Sequence, residues 1–270
     1  MKFIYRIGIA FTAGIALLVG GEMAATTAHA TVIKNSFLQT QRTIHTTNSK
    51  KQVKLTLPNK TVVQATAVKN RGGRKFIYIN GEQLSYRLRK PLLASKSTSN
   101  YSAWIPATRA NFKQVKTPVY LSYYNTHVRR KQVKNKTYHT TGNLWKGHAL
   151  PTNYTTQKDP RLRITTDGYL EYFANSPFVY RTSPRPTATL KVISASHPGG
   201  SGKDIMTFHS SFSALPFKKV ANTNTLTIQW TARSTVTAIP NENNVKLLTQ
   251  QYVSKIGGQE WYNLSSTINY

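Results

Sequence analysis

Leu162-Arg163-Ile164-Thr165-Thr166-Asp167-Gly168-Tyr169-Leu170-Glu171-Tyr172-Phe173 is the stretch whose reading decides the fold. Apolar and polar side chains alternate on both sides of an Asp-Gly pair. A period of two sends successive side chains to opposite faces of a strand. Asp-Gly suits a tight turn because its backbone tolerates positive φ. The stretch therefore reads as a β-hairpin. Outward from it, Phe76–Ile79, Asn80-Gly81 and Leu84–Leu88 repeat the same grammar, as do Tyr252–Ile256, Gly257-Gly258 and Glu260–Tyr262. Val53, Leu55 and Leu57 alternate with Lys54 and Thr56, and residues 61–68 are rich in Thr and Val, whose branched β-carbons pack well on a pleated surface. Ala188–Ser194, Ile205–Phe212 and Leu226–Ala232 also read as strands. Only Pro106–Phe112 carries a short helical signal, with Pro106 in the first turn. The fold class expected is all-β.

The order of these signals suggests small modules. An apolar-Pro pair precedes each hairpin: Leu57-Pro58, Leu150-Pro151 and Ile239-Pro240. On that basis Asn80-Gly81 and Asp167-Gly168 are equivalent turns of an internal duplication. Residues 31–93 form a first β-module, 94–116 a connector with the short helix, and 117–176 a second β-module. Residues 177–270 form a sandwich-like C-terminal β-domain, with a third hairpin unit at 239–270.

The first thirty residues have a different character. Lys2 and Arg6 precede an apolar run over residues 7–19, followed by Ala28-His29-Ala30. The run is too short to span a bilayer and, with the small-residue triplet, reads as a signal peptide cut after Ala30. The expected product is secreted, extracellular and retained on the cell wall, with no transmembrane segment. The chain has no cysteine, so it has no disulfide framework and no thiol nucleophile.

Charge narrows the partners. The formal net charge is +29, and it is uneven. Residues 31–150 hold 23 Lys and Arg against a single acid, Glu82, whereas residues 151–270 hold 12 against six acids. Two clusters interleave cations with aromatics. Lys69, Arg71, Arg74 and Lys75 precede Phe76 and Tyr78. Arg129, Arg130, Lys131, Lys134 and Lys136 lie between Tyr123-Tyr124 and Tyr138. Cations neutralise phosphates or carboxylates, and exposed rings stack on sugar faces. These nine cations are the expected anion-binding residues, with Tyr123, Tyr124, Tyr138 and Trp145 as candidate sugar platforms. Anionic cell-wall polymers, teichoic acid or acidic polysaccharide, are the expected partners; export makes nucleic acid a less fitting one.

Tyr120–Tyr124, Arg129–Lys136, Leu144-Trp145-Lys146-Gly147 and the Asp167-Gly168 hairpin together resemble a known family. They are similar to the Tyr- and Lys-rich wall-binding modules of surface-layer proteins of lactic-acid bacteria, and to SH3-like modules of related exported proteins. The resemblance covers residues 31–175. It implies small SH3-like or barrel modules that hold a protein to the wall without a covalent bond. It assigns no individual ligand residue.

Enzymatic chemistry finds less support, and no cofactor is expected. His197-Pro198-Gly199-Gly200-Ser201-Gly202-Lys203-Asp204 resembles the His/Asp half of the motif in zinc D,D-peptidases that cut peptidoglycan. Zinc there needs a further ligand and catalysis a carboxylate base. Glu260-Trp261-Tyr262-Asn263 lacks the histidine, and His209 is out of pattern. His197, Asp204 and His209 are therefore the only metal candidates, and they fall short of a catalytic zinc set. Asp167 and Glu171 could form a glycosidase pair; turn chemistry accounts better for Asp167, and a strand salt bridge for Glu171. A wall-binding protein is expected, with a peptidoglycan-processing enzyme or an adhesin for host mucus or matrix as alternatives.

Overall fold

The computed structural model describes residues 32–48, 53–93, 102–121, 143–148, 158–177, 185–240, 246–264 and 268–269. The expected signal peptide, the cluster Arg129–Lys136 and the rings of Tyr123, Tyr124 and Tyr138 lie outside them. The fold is all-β, with one α-helix among the described residues.

The N-terminal part is built of three small sheets. β1 (Phe37–Thr40) lies between β4 (Val62–Gln64) and β8 (Phe112–Val115), and β2 (Ile44–Thr47) pairs with β3 (Lys54–Leu57). β5 (Ala67–Arg71), β6 (Arg74–Asn80) and β7 (Ser102–Pro106) form an antiparallel meander. Gly72 and Gly73 make the β5–β6 turn, with φ of 54° and 67°. Both values fall in the left-handed region that favours glycine. These two residues alone join the strands, a tight hairpin within the first cation cluster.

Asn80-Gly81 is not a hairpin turn. The Asn80 side chain accepts a hydrogen bond from the Glu82 amide and opens a 3₁₀ turn over Gly81–Gln83. The helix α1 (Tyr86–Leu93) follows, with Leu84, Leu88 and Leu92 buried. Leucines four apart satisfy a strand's period of two as well as a helix's i, i+4 stripe. The equivalence of Asn80-Gly81 with Asp167-Gly168 therefore fails, and with it the duplication it supported. The expected connector is also corrected. Residues 102–106 and 112–115 are strands, and the helical signal at 106–112 is a turn in which Phe112 donates to the Thr108 carbonyl. Ala103 and Ile105 alternate into the core and place β7 beside β6.

The rest forms one eleven-stranded sheet, curled as a half-barrel. Its strands are β9 (Asn143–Lys146), β10 (Lys158–Ile164), β11 (Tyr169–Pro177), β12 (Ala188–Lys191), β13 (Ser194–Ser196) and β14 (Lys203–Phe208). β15 (Lys218–Val220), β16 (Thr223–Pro240), β17 (Lys246–Ile256), β18 (Gln259–Leu264) and β19 (Ile268–Asn269) complete it. The Asp167-Gly168 and Gly257-Gly258 hairpins form as read, between β10 and β11 and between β17 and β18. The expected boundary at residue 177 does not hold, because β9 pairs with β18 and β11 with β12. The hairpin assigned to a separate unit at 239–270 is built into this sheet.

Two cores hold the chain together. Leu38, Leu55, Leu57, Ile77, Ile79, Leu88 and Ile105 belong to one. Leu162, Ile164, Leu170, Met206, Phe208, Ile228 and Trp261 belong to the other, which also takes Phe37 and Val62. The β4-β1-β8 sheet thus sends Phe37 and Val62 to one core and Leu38 and Val63 to the other. That sheet is therefore buried on both faces, and β8, at residues 112–115, completes it.

Candidate functional site

The meander β5-β6-β7 has one buried and one open face. Pairing sets Lys69 opposite Phe76, Arg71 opposite Arg74 and Ala67 opposite Tyr78; Tyr78 in turn lies opposite Trp104. Strand alternation then puts Val68, Ile77, Ile79 and Ile105 on the core side. Lys69, Arg71, Arg74, Phe76, Tyr78 and Trp104 share the other side, where the three rings are half-buried and the three cations exposed.

The three rings share this face, and two of them meet. Tyr78 and Trp104 lie with centroids 4.8 Å apart, tilted by 51°. The Lys69 ammonium sits 3.8 Å from the Trp104 centroid, a cation–π contact across the meander. The Tyr78 hydroxyl is bonded to Ser102, which fixes the ring. No acid lies on these three strands, so the face is uniformly positive. Of the predicted cations, Lys69, Arg71 and Arg74 meet here. Lys75 is paired with Asn70 and falls on the opposite side. Trp104 is the residue the sequence reading missed. Its signal was the alternation of Ser102, Trp104 and Pro106 with Ala103 and Ile105, obscured by assigning that stretch to a connector.

Trp145 cannot serve as an open sugar platform, being only 3% exposed. Its ring lies 5.5 Å from the Arg161 guanidinium, which also stands 3.8 Å from the Phe173 ring and donates to Ser176 and Asn143. Trp145 is a wall around a buried arginine.

His197 and Asp204 do meet. His197 Nδ1 is 2.7 Å from one Asp204 oxygen, and Trp230 Nε1 donates to the other at 2.6 Å. Asp204 is buried, and each of its oxygens is engaged by a side chain. His209 stands just past the far end of β14, where its carbonyl accepts from Asn224. Among the described residues no three His, Cys, Asp or Glu side chains come together to hold a metal. Asp167 and Glu171 are likewise committed. Asp167 accepts from the Ser85 amide at 2.8 Å and the Ser85 hydroxyl at 2.6 Å, and Glu171 pairs with Arg89 at 2.7 Å.

Among the described residues, no helix is long and apolar enough to cross a membrane. Comparison with known proteins finds no matching family model, no similar curated protein and no similar solved structure.

Proposed function

We propose that this is an exported protein that binds anionic cell-wall polymers non-covalently, teichoic acid or acidic polysaccharide, with the open face of β5-β6-β7 as a principal contact. The observation that carries this reading is that face: Phe76, Tyr78 and Trp104 in a strip, edged by Lys69, Arg71 and Arg74, with no acid on the strands. Rings stack on the apolar faces of sugars, and cations replace the counterions of a polyanion. The excess of cations over residues 31–150 extends the attraction beyond this face. The cluster Arg129–Lys136 belongs to the same reading as a further contact. The resemblance to wall-binding modules agrees with it in function.

Binding of the secreted protein to purified walls, measured over a range of salt, tests this. Log affinity falls linearly with log salt where counterions are released. Replacing Lys69, Arg71 and Arg74 with Gln flattens that slope, and Trp104→Ala weakens binding at every salt concentration. Walls stripped of teichoic acid and acidic polysaccharide lose most of the binding. Salt-independent retention, or equal binding to stripped walls, overturns the proposal.

A further inference from the structure

A second feature lies away from the aromatic face, between α1 and β12. A cavity of about 410 Å³ opens there, lined by Tyr86 and Lys90 of the helix and by residues 185–189, including Arg185, Thr187 and Thr189. Its lining is rich in donors and poor in acceptors. Lys90 and Arg185, both exposed, carry three and five N–H donors and accept nothing. Thr187 Oγ1 already accepts from the Ala174 amide at 3.0 Å, which leaves its proton for an outside acceptor. Thr189 is exposed and adds another hydroxyl. The one carboxylate beneath, Glu171, lies opposite Thr189 in the sheet and is neutralised by the fully buried Arg89. Tyr86 is half-buried, with the Arg89 guanidinium 5.5 Å from its ring centroid.

The same pattern continues along the sheet. Lys191 lies two residues beyond Thr189, opposite Tyr169, with its ammonium 4.3 Å from that ring. Arg87 comes to 5.8 Å of the same ring. Two tyrosines and four cations thus follow one another beside the cavity. Lys191 already donates to the Asp167 carbonyl at 2.6 Å and feels the Asp167 charge, so Lys90 and Arg185 in the cavity lining are the cations that face an outside anion.

We infer that the α1–β12 cavity is a second binding site, taking a phosphate-bearing sugar or polyol unit. Phosphate is the acceptor-rich group that such a donor set matches. Tyr86 gives the sugar or polyol carbon skeleton an apolar surface. The volume accommodates one small unit and its phosphate rather than a folded partner. This site does not depend on the wall-binding reading of the aromatic face. If both hold, one chain grips a polymer at two places, and the second contact raises avidity through effective concentration.

Calorimetry with the secreted full-length product tests the site, using a short glycerol-phosphate oligomer, an uncharged oligosaccharide and an oligonucleotide of equal charge as probes. The variant Lys90→Gln/Arg185→Gln loses at least about tenfold in affinity for the phosphate oligomer, the equivalent of one charge-assisted hydrogen bond. Thr189→Val weakens it further. Both cations are exposed, so an unchanged melting temperature certifies the fold. Unaltered affinity in the double variant overturns the site. Equal affinity for the oligonucleotide overturns its assignment to a sugar or polyol phosphate. If walls fail to bind while the oligomer still binds at Lys90 and Arg185, the wall-binding reading falls and this site stands. If walls bind and the double variant keeps full affinity for the oligomer, the reverse holds.

Discussion

Glu171 and Arg89 show what one residue pair does in this fold. Both side chains are fully buried, and Arg89 also donates to the Leu84 carbonyl at 2.7 Å. Burial lowers the Arg89 pKa, and the Glu171 charge works against that shift. Glu171 also receives the Tyr86 amide, while Arg163 donates to the Glu82 carboxylate and carbonyl, so the pair sits in a polar seam joining α1 to β10 and β11. Glu171→Gln keeps the shape and removes the charge, leaving a buried guanidinium uncompensated. Losing one partner of a buried pair costs about 3–5 kcal/mol. Urea unfolding of Glu171→Gln against the native protein should show a loss of that size, and a loss under about 1 kcal/mol would contradict the seam. The sequence showed that Glu171 needed a cation. It could not show which one, because Arg89 is 82 positions away and looked like one more surface charge.

At the scale of elements, turn chemistry was legible where the turn alone decides the structure. Gly257 and Gly258 have φ of 57° and 80° and close the β17–β18 hairpin. They differ in surroundings: a Cβ on Gly257 would stand 2.3 Å from Pro216 Cγ, whereas one on Gly258 meets nothing. Gly258→Ala pays only the conformational penalty, about 1 kcal/mol. Gly257→Ala adds a clash with a ring of restricted freedom and should cost about 1–3 kcal/mol more. Thermal unfolding of the two variants separates the effects, and equal losses would mean that Pro216 does not press on the turn. Where neighbours decide, the sequence misled. Asn80-Gly81 carries the letters of a hairpin, but Asn80 caps a 3₁₀ turn, and Ser85 at the start of α1 is held by Asp167 from another sheet. Leu84 and Leu88 fit both periods, so only the packing of α1 on the core resolves them. The open face of β5-β6-β7 was half legible. Its cations lie within ten residues of Phe76 and Tyr78 in the sequence, whereas Trp104 reaches the strip only through the β6–β7 pairing.

For the whole molecule, composition announced an all-β, strongly basic protein and overstated how much of the charge faces solvent, since Arg89, Arg161 and Arg163 are buried. The same burial that hides arginines hides phenols, and this gives the chain an alkaline limit. Tyr120 and Tyr262 both have their pKa raised far above the usual phenol range, first by burial and then by Asp167 and Asp159 respectively. Burial raises Tyr172 as well. A group whose folded pKa lies above its unfolded value stabilises the fold fully below the unfolded pKa, and that contribution is lost as pH rises toward the folded one. The window therefore opens near pH 10, about where an unfolded tyrosine ionises. Each pH unit above it costs about 1.4 kcal/mol per buried phenol, so Tyr120 and Tyr262 together cost about 3 kcal/mol per unit. Lysines lose charge over the same range, which relieves self-repulsion and opposes the loss. At high ionic strength that repulsion is already screened, and the tyrosines decide the sign. Followed by phenolate absorbance and circular dichroism in high salt, a steep absorbance step well above pH 10 should coincide with loss of the β signal. Replacing Tyr262 with Phe keeps the ring and removes the ionisable group, and should move that step to higher pH. A single smooth titration of all tyrosines near pH 10, with the β signal retained, would show that Tyr120 and Tyr262 are open to water.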